Sequence, residues 1–394
     1  MEKYVECLTI NYFGVLHEME FIINSECFNR AIADVNKAVS QKTPFPILSG
    51  IKIITNKDCV ILIGSNSEII IEKVIPLEID GVNVLEVKEI GSVVLSAKYL
   101  SELVKKLSNK IHITVNEKQI ATLKSEEITT TLNGFHSADY PRLPQMDETR
   151  HIKIQSEELT EIIQQTVFAV SKREAQPVLT GVNMSFKENK LTCVATNSHR
   201  LALRELTIDS NVSGSFIVPS KSLNELSKLI HNKTEFIHIF VTDNYIVFKS
   251  NTTSLYSRLI EGNYPNVSGL FPKNARTIIT VNTKQLLKGV DRACLFASEW
   301  KNNNVYLEIK EAAKIKITSN SSEIGKIEEM QNIKEIDGET DLSISLDGSF
   351  LMDALKVIKE EEIRISFGGS MRPVLMEPVG NNMYLHLISP VRAY

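Results

Sequence analysis

The chain of 394 residues is too long for one ordinary hydrophobic core, so its length predicts two or three domains. Hydrophobic residues make up 43% of it and charged residues 23%, as in a soluble globular protein. The net charge of −4 gives no overall basic signature for nucleic acid, although a balanced total can hide an asymmetric surface.

The cysteine pattern argues against a disulfide framework or a zinc site. The cysteines are odd in number and far apart, and no two of them form a CxxC pair. They are Cys7, Cys27, Cys59, Cys193 and Cys294. Most lie in apolar strand or helix patterns, which is typical of buried thiols in a reducing compartment, and we expect a cytoplasmic protein.

The N-terminus predicts neither a signal peptide nor a membrane span. Its apolar run is short and is interrupted by Glu6 and His17. Met19 then begins a regular strand-then-helix pattern. Residues 1–18 are therefore expected to be an extension outside the repeating fold or the result of an upstream start.

A threefold repeat organises the rest of the chain. A short strand, a Ser, Thr or Asn cap and an amphipathic helix recur at residues 21–40, 152–172 and 278–298. The candidate N-caps are Ser25, Ser156 and either Asn282 or Thr283. A second helix pattern recurs at residues 93–108, 216–231 and 343–359. Both patterns repeat after 124 to 131 residues, so two independent landmarks give nearly one period.

The strands between the helices repeat as well. A polar turn of the Ser/Thr-Asn-Ser type separates two strands at residues 61–75, 191–206 and 315–330. No βαβ rhythm appears, so each unit is predicted to be an α+β domain with two helices packed on antiparallel sheets.

The domain boundaries are predicted from connectors that contain Pro and Gly. The first two units close on HSADYPRLP (136–144) and EGNYPNVSGLFP (261–272). We place the boundaries just after them, which gives domains at residues 19–147, 148–272 and 273–394.

Few residues suggest catalysis. The chain contains no GxxxxGK, HExxH or GxSxG motif, and its acidic residues form no tight cluster suited to a metal ion. The one suggestive stretch is VATNSHRLAL (194–203), a polar turn between two strands that adds His199 and Arg200. We predict no catalytic residue, no metal and no cofactor.

Several stretches, in this order and at this period, resemble the bacterial β sliding clamp family, the processivity subunits of replicative DNA polymerases. Besides the two connectors, they are PFPILSG (44–50), ATNSHRLAL (195–203), SNSSEIGKIEE (319–329) and SPVRAY (389–394). The resemblance covers residues 19–394. It implies a head-to-tail homodimer whose six clamp domains close a ring around duplex DNA, with helices lining the hole.

The resemblance also implies residues for the contact between copies. Leu132 in the first domain and Leu295 and Phe296 in the third match parts of that apolar seam. The alternative for each of them is an ordinary core position.

The charge distribution agrees with a DNA-binding ring. The six predicted helix segments together carry +4 and the remainder of the chain −8. A sliding protein must contact phosphates, since these carry no sequence information. The candidate contact residues are Arg30, Lys42, Lys98, Lys105, Lys106, Lys172, Arg173, Lys221 and Lys228. Pro177 and Val178 stand where some relatives carry aromatic residues that touch DNA, which puts that contact in question.

Family members have a hydrophobic cleft at the junction of the second and third domains, which receives short peptides from partner proteins. The matching residues are Leu179, Thr196, Ser198, His199, Arg200, Leu201, Pro265, Leu270, Leu387, Pro390, Val391 and Arg392. Apolar side chains there would accept apolar side chains of the peptide, and polar groups at the rim would orient its backbone. For Leu179 and Leu201 the alternative is a plain core position.

The sequence thus predicts a sliding clamp that tethers the replicative polymerase to DNA. The expected partners are duplex DNA, a second copy, the polymerase catalytic subunit, the clamp loader and other proteins with clamp-binding peptides, but no membrane. Two alternatives stay open. One is a paralogous clamp dedicated to repair or to a mobile element, and the other is an enzyme of nucleic-acid metabolism on a repeated scaffold.

Overall fold

The computed structural model describes residues 18–40, 42–147, 151–210, 212–232, 234–272, 274–297, 303–311, 314–381 and 383–391. The predicted extension at residues 1–18 therefore lies outside the described residues except for Glu18. The chain forms two compact units, which are described in turn. Unit 1 comprises the described residues up to Ser156 together with Glu225–Arg258, and unit 2 comprises Glu157–Asn224 together with the described residues from Leu259 onwards.

One element order recurs three times along the chain: strand, helix, strands, helix, three strands. The first repeat consists of β1 (Met19–Asn24), α1 (Ser25–Asn36), β2 (Gly50–Asn56), β3 (Cys59–Ser65), β4 (Ile69–Pro76), β5 (Glu78–Ile79), β6 (Val82–Asn83), β7 (Leu85–Glu89), β8 (Gly91–Ser96), α2 (Ala97–Val104), β9 (Lys110–Val115), β10 (Ile120–Ser125) and β11 (Ile128–Phe135).

The second repeat keeps this order without the small additional strands. It consists of β12 (Ile152–Gln155), α3 (Ser156–Thr166), β13 (Gly181–Lys187), β14 (Lys190–Thr196), β15 (Arg200–Thr207), β16 (Gly214–Pro219), α4 (Ser220–Leu229), β17 (Phe236–Val241), β18 (Tyr245–Lys249) and β19 (Thr253–Arg258).

The third repeat adds one short strand. It consists of β20 (Thr277–Asn282), α5 (Thr283–Ala297), β21 (Asn304–Glu311), β22 (Lys314–Ser321), β23 (Gly325–Asn332), β24 (Glu335–Gly338), β25 (Leu342–Asp347), α6 (Gly348–Val357), β26 (Glu362–Phe367), β27 (Val374–Pro378) and β28 (Tyr384–Ile388). The α+β class and the threefold organisation predicted from the sequence are thus confirmed.

The helices begin close to the predicted caps. In α1 the cap is Asn24, whose Oδ1 accepts the Cys27 N–H at 3.0 Å, so the prediction of Ser25 is wrong by one residue. Asn282 caps α5, because its Oδ1 accepts the Gln285 N–H at 3.0 Å. Asp347 caps α6 in the same way through Ser349.

Each repeat contributes strands to two antiparallel sheets. In unit 1 one sheet runs β12-β17-β18-β19-β4-β3-β2-β8-β11-β10-β9-β1-β7. In unit 2 one sheet runs β16-β13-β14-β15-β28-β27-β26-β20-β24 and another β23-β22-β21-β25. The second repeat therefore gives one group of strands to each unit, which is why the two units do not coincide with the three predicted domains.

The helix α1 packs closely against the sheet of unit 1. Its buried face includes Phe28, Ile32 and Val35, which follow helical spacing. Gly64 in β3 permits the close approach, because a Cβ at this position would lie 2.1 Å from the Val35 carbonyl oxygen. None of the described helices is long and apolar enough to cross a membrane.

The interior of unit 2 contains an imidazole. His386 in β28 is buried, its Nε2 is hydrogen-bonded to the Tyr384 hydroxyl, and its ring lies 5.3 Å from the Phe168 ring. Burial, with a smaller contribution from the positive charge of Arg200, lowers the pKa of His386 to about 3. The folded protein therefore holds this imidazole in its neutral form.

Substituting Gly64→Ala should destabilise the protein, because the added methyl group would overlap the Val35 carbonyl oxygen. We expect the free energy of unfolding to fall by about 1–3 kcal/mol, measured by urea denaturation. Gly269→Ala is the matched control, since a Cβ at Gly269 meets no atom within 4 Å. Equal unfolding midpoints for the two variants would contradict the close approach.

Stability should depend on pH through His386. Because the pKa of His386 is lower in the folded than in the unfolded chain, the unfolded chain binds the additional proton, and stability falls as pH drops from about 6.5 towards 3. For one group this amounts to about 2 kcal/mol at pH 5. Between pH 7 and pH 5, His386→Gln should lose that much less stability than the wild type in chemical denaturation. The exposed His136, changed to Gln, is the control and should keep the wild-type slope.

Candidate partner-binding surface

An apolar surface forms where four strands of unit 2 lie side by side. Cross-strand pairs place Val194 beside Leu203, Leu201 beside Leu387, and Leu387 beside Leu375. Because alternate residues of a strand point to one side of a sheet, these side chains share a face. The buried members are Val194, Leu201 and Leu387, and Leu203, Tyr264, Val267, Phe271, Leu375 and Leu385 pack against them. We call these nine residues the apolar surface.

The connector that contains NYP borders this surface. The Tyr264 hydroxyl accepts the Thr196 N–H at 3.0 Å, and burial raises the pKa of Tyr264 well above its ordinary value. The Tyr140 hydroxyl of the first connector acts instead as a donor, to the carbonyl oxygens of Gly50 at 3.4 Å and Ile63 at 3.3 Å. Each connector is thus fixed to its sheet by a tyrosine hydroxyl, and Pro265 and Leu270 remain exposed on the second one.

The turn between β14 and β15 forms one rim. Asn197 Oδ1 accepts the N–H groups of His199 at 3.0 Å and Arg200 at 2.9 Å, and Ser198 adopts a φ of 75°. Thr196 Oγ1 closes the turn by donating to the Arg200 carbonyl oxygen at 2.6 Å. The side chains of Ser198 and His199 are left exposed.

The C-terminal segment lies beside this turn. The Ser389 N–H donates to the His199 carbonyl oxygen at 2.8 Å, and the Val391 N–H donates to the Ser345 carbonyl oxygen at 2.8 Å. Pro390 and Val391 are half-buried. The predicted residue Arg392 lies outside the described residues.

Two further predicted cleft residues, Arg200 and Leu179, are buried. Arg200 precedes Leu201 in β15, so its side chain points to the opposite face of the sheet, where it is 8% exposed. Leu179 is buried, and its carbonyl oxygen accepts the Ser171 N–H at 2.7 Å, but it is not a member of the apolar surface. Seven of the nine residues of the apolar surface were not predicted, namely Val194, Leu203, Tyr264, Val267, Phe271, Leu375 and Leu385. Alternation along β15 from Leu201 could have identified Leu203.

The nine predicted DNA-contact residues are all exposed. Six of them belong to unit 1, namely Arg30, Lys42, Lys98, Lys105, Lys106 and Lys228, and three to unit 2, namely Lys172, Arg173 and Lys221. They lie on α1, α2 and α4 or in the segments that follow helices. Two of them are paired, because Lys105 donates to Glu102 at 3.0 Å and Lys228 to Glu225 at 2.8 Å. These exposed hydrogen bonds leave both cations at the surface.

The residues predicted at the contact between copies lie near two strand edges. Leu132 is half-buried in β11, and Leu295 is 67% exposed beside Phe296 near the end of α5. Arg292 of α5 donates through Nε to Glu329 of β23 at 2.8 Å, which fixes the helix to that strand. Ile128 and Met330 are further exposed apolar residues, one on each strand.

Among the residues that the structure describes, no group of three or more His, Cys, Asp or Glu side chains is placed to hold a metal ion. Four cysteines within this part of the chain, Cys27, Cys59, Cys193 and Cys294, are free thiols. Burial raises the pKa of Cys294 to about 11.

Comparison with known proteins covers nearly the whole chain. Three family models of the DNA polymerase III beta subunit match the chain. The model of the N-terminal domain matches residues 19–144, that of the central domain residues 153–266, and that of the C-terminal domain residues 268–392. The beta sliding clamp of Bacillus subtilis is 42% identical over 379 residues, which is 95% of this chain and 100% of the relative. That of Staphylococcus epidermidis is 38% identical over 378 residues, with the same coverage of both chains.

Solved structures give the same result. The crystal structure of the Bacillus subtilis DNA polymerase sliding clamp matches with a TM-score of 0.93 and 42% identity, covering 96% of this chain and 100% of that one. A Pseudomonas aeruginosa sliding clamp bound to griselimycin shares the fold, with a TM-score of 0.88 and 24% identity over 96% of this chain and 100% of that one. The chain belongs to the family of DNA polymerase III beta subunits, the beta sliding clamps.

Proposed function

We propose that two copies of this chain form a closed ring that encircles duplex DNA, and that the ring tethers the replicative polymerase and so confers processivity. The observation that carries the proposal is a pair of strand edges, on β11 and β23, for which the described chain supplies no full partner.

Two equivalent joints within the chain show what these edges require. In unit 1, β4 pairs antiparallel with β19, from Ile69 opposite Ser257 to Lys73 opposite Thr253. In unit 2, β15 pairs antiparallel with β28, from Arg200 opposite Ile388 to Arg204 opposite Tyr384. In both joints the second strand of the hairpin that contains the polar turn meets the last strand of another repeat.

The described chain also contains both halves of a third joint of this kind, each without its counterpart in the strand order of its own sheet. By element order β23 corresponds to β4 and β15, and β11 corresponds to β19 and β28. β23 pairs only with β22, and beyond its pairing with β10, β11 meets β8 only at Gly134 and Phe135. A second copy would complete the joint twice, β11 of each copy with β23 of the other. Leu132, Leu295 and Phe296 would then contribute to this contact.

The exposed cations support sequence-independent DNA binding. Lysine and arginine side chains on and near α1, α2 and α4 can exchange one phosphate for the next with little loss of binding free energy. All phosphates are alike in this respect, because phosphate contacts carry no sequence information. A ring needs only weak contacts of this kind, since topology, and not affinity, would keep it on DNA.

The apolar surface supports docking of partner peptides. Leu201 and Leu387 would accept apolar side chains, while the exposed turn at His199 and the segment at Pro390 would border the peptide backbone. The expected partners are the polymerase catalytic subunit, the clamp loader and other proteins with clamp-binding peptides. We also expect this surface to bind griselimycin.

The proposed role is that of a tether without catalysis of its own, in the cytoplasm where bacterial DNA is replicated. The family resemblance and the free thiols support this placement.

Substituting Leu295→Asp should dissociate the dimer, because it introduces a charge where an apolar side chain would be covered. By light scattering, we expect the wild type at twice the 44.3 kDa chain mass and the variant at the mass of one chain, at micromolar concentration. Val82→Asp is the control, since Val82 is 62% exposed on the β5–β6 hairpin, whose two strands pair only with each other. A wild type of single-chain mass would contradict the ring.

Retention on DNA should depend on whether the DNA has ends. After loading by the clamp loader onto a nicked circular plasmid, the protein should stay bound through gel filtration, and cutting the plasmid should release it. A ring can leave linear DNA only by sliding off, so equal retention on circular and cut DNA would refute topological binding.

A further inference from the structure

A buried arginine lies directly behind the apolar surface. The Arg200 Nη1 donates to Asp353 Oδ2 at 2.6 Å, and its Nη2 donates to the Phe168 carbonyl oxygen. The guanidinium carbon lies 4.5 Å from the centroid of the Phe350 ring and 5.2 Å from that of the Phe168 ring. The charged group is therefore held between two aromatic rings, one carboxylate and one carbonyl oxygen.

Removing either Arg200 or Asp353 should disturb the local structure around the other. A buried guanidinium is tolerated only when it is paired and hydrogen-bonded, and loss of one partner leaves the other charge uncompensated. The Arg200 side chain is 8% exposed and that of Asp353 39%, so loss of Asp353 leaves a buried guanidinium without its carboxylate, whereas loss of Arg200 leaves a carboxylate that water can reach.

The pair joins two repeats. Arg200 is the first residue of β15 in the second repeat, whereas Asp353 and Phe350 lie on α6 in the third. The apolar surface spans the same two repeats, since Leu201 of β15 pairs with Leu387 of β28. The ion pair and the surface therefore lie on opposite faces of one strand joint.

The backbone of Arg200 connects the ion pair to the rim. Its carbonyl oxygen accepts the Thr196 hydroxyl and its N–H donates to Asn197 Oδ1, so the turn at residues 197–199 is fixed on Arg200. The His199 carbonyl oxygen accepts the Ser389 N–H at 2.8 Å, and this hydrogen bond connects the C-terminal segment to the turn. A shift of Arg200 would thus move both the turn and residues 389–391.

We propose that Arg200 is a positioning residue for partner binding. Held by Asp353 on α6, it fixes the turn at residues 197–199 and the segment 389–391 at the spacing that a bound peptide requires. Partner affinity is thereby coupled to the position of α6. The inference rests on the proposed function, in which the apolar surface binds partner peptides.

The test uses the whole chain and griselimycin as the probe, titrated by calorimetry. Asp353→Asn keeps the shape and removes the charge, Arg200→Met removes the guanidinium, and we expect each to weaken binding by about tenfold. The double variant should bind no more weakly than the weaker single variant, because both changes remove one interaction. Arg200→Lys keeps the charge but lacks the forked pair of N–H donors of the guanidinium. Its affinity for griselimycin should lie between that of these variants and that of the wild type.

Two controls separate positioning from general loss of stability. Arg204→Met removes the next arginine on the same face of β15, which donates to Asn381 Oδ1 at 3.1 Å, and should change affinity by less than about twofold. Gly64→Ala destabilises unit 1 and should leave affinity unchanged. In hydrogen exchange, the Ser389 amide should exchange faster in Asp353→Asn than in either control.

The outcomes distinguish the two proposals. If the wild type does not bind griselimycin, peptide docking at the apolar surface fails, and this inference fails with it. If the wild type binds and Asp353→Asn binds equally well, the positioning role of Arg200 is refuted while the proposed function stands. Should Arg200→Met not fold, Asp353→Asn and Arg200→Lys decide the question.

Discussion

Antiparallel pairing between strands of different repeats is the interaction on which this structure depends. The joints β4·β19 and β15·β28 extend the sheets across repeat boundaries, so no repeat is a closed body. Backbone hydrogen bonds fix the register of each joint, and a register shift of one residue would turn every side chain to the wrong face. The register of β15·β28 places Leu201 beside Leu387 in the apolar surface.

The joint between β15 and β28 has two faces of different chemistry. One face presents leucines and the connector residue Tyr264, which suit the capture of apolar side chains. The other holds the buried Arg200 and the buried, neutral His386, together with Asp353, whose side chain is 39% exposed. An apolar face thus lies opposite a polar one in the same strand joint.

Much of the fold could be predicted from the sequence, because its signals are local. Caps, polar turns and helical spacing at one period identify three repeats, and only details such as Asn24 in place of Ser25 differ. The predicted helix at 93–108 ends earlier, at Val104.

The candidate site was predicted less completely, since it depends on partners far apart in sequence. Adjacent residues Arg200 and Leu201 appeared to belong to one cleft, but strand alternation separates them, and Asp353 lies 153 residues away. The resemblance could identify positions but not the faces on which their side chains lie.

The two strand edges at β11 and β23 differ from each other, and this has a consequence for assembly. A contact between unlike surfaces does not by itself limit the number of copies, since each added copy offers a new free edge. Such a contact gives a closed ring when the rotation between neighbours closes, and an open helical filament when it does not. The rotation between neighbouring copies would therefore set how many of them close a ring. A substitution at an internal joint such as β15·β28 could leave both edges intact and still replace rings with filaments that lengthen as concentration rises.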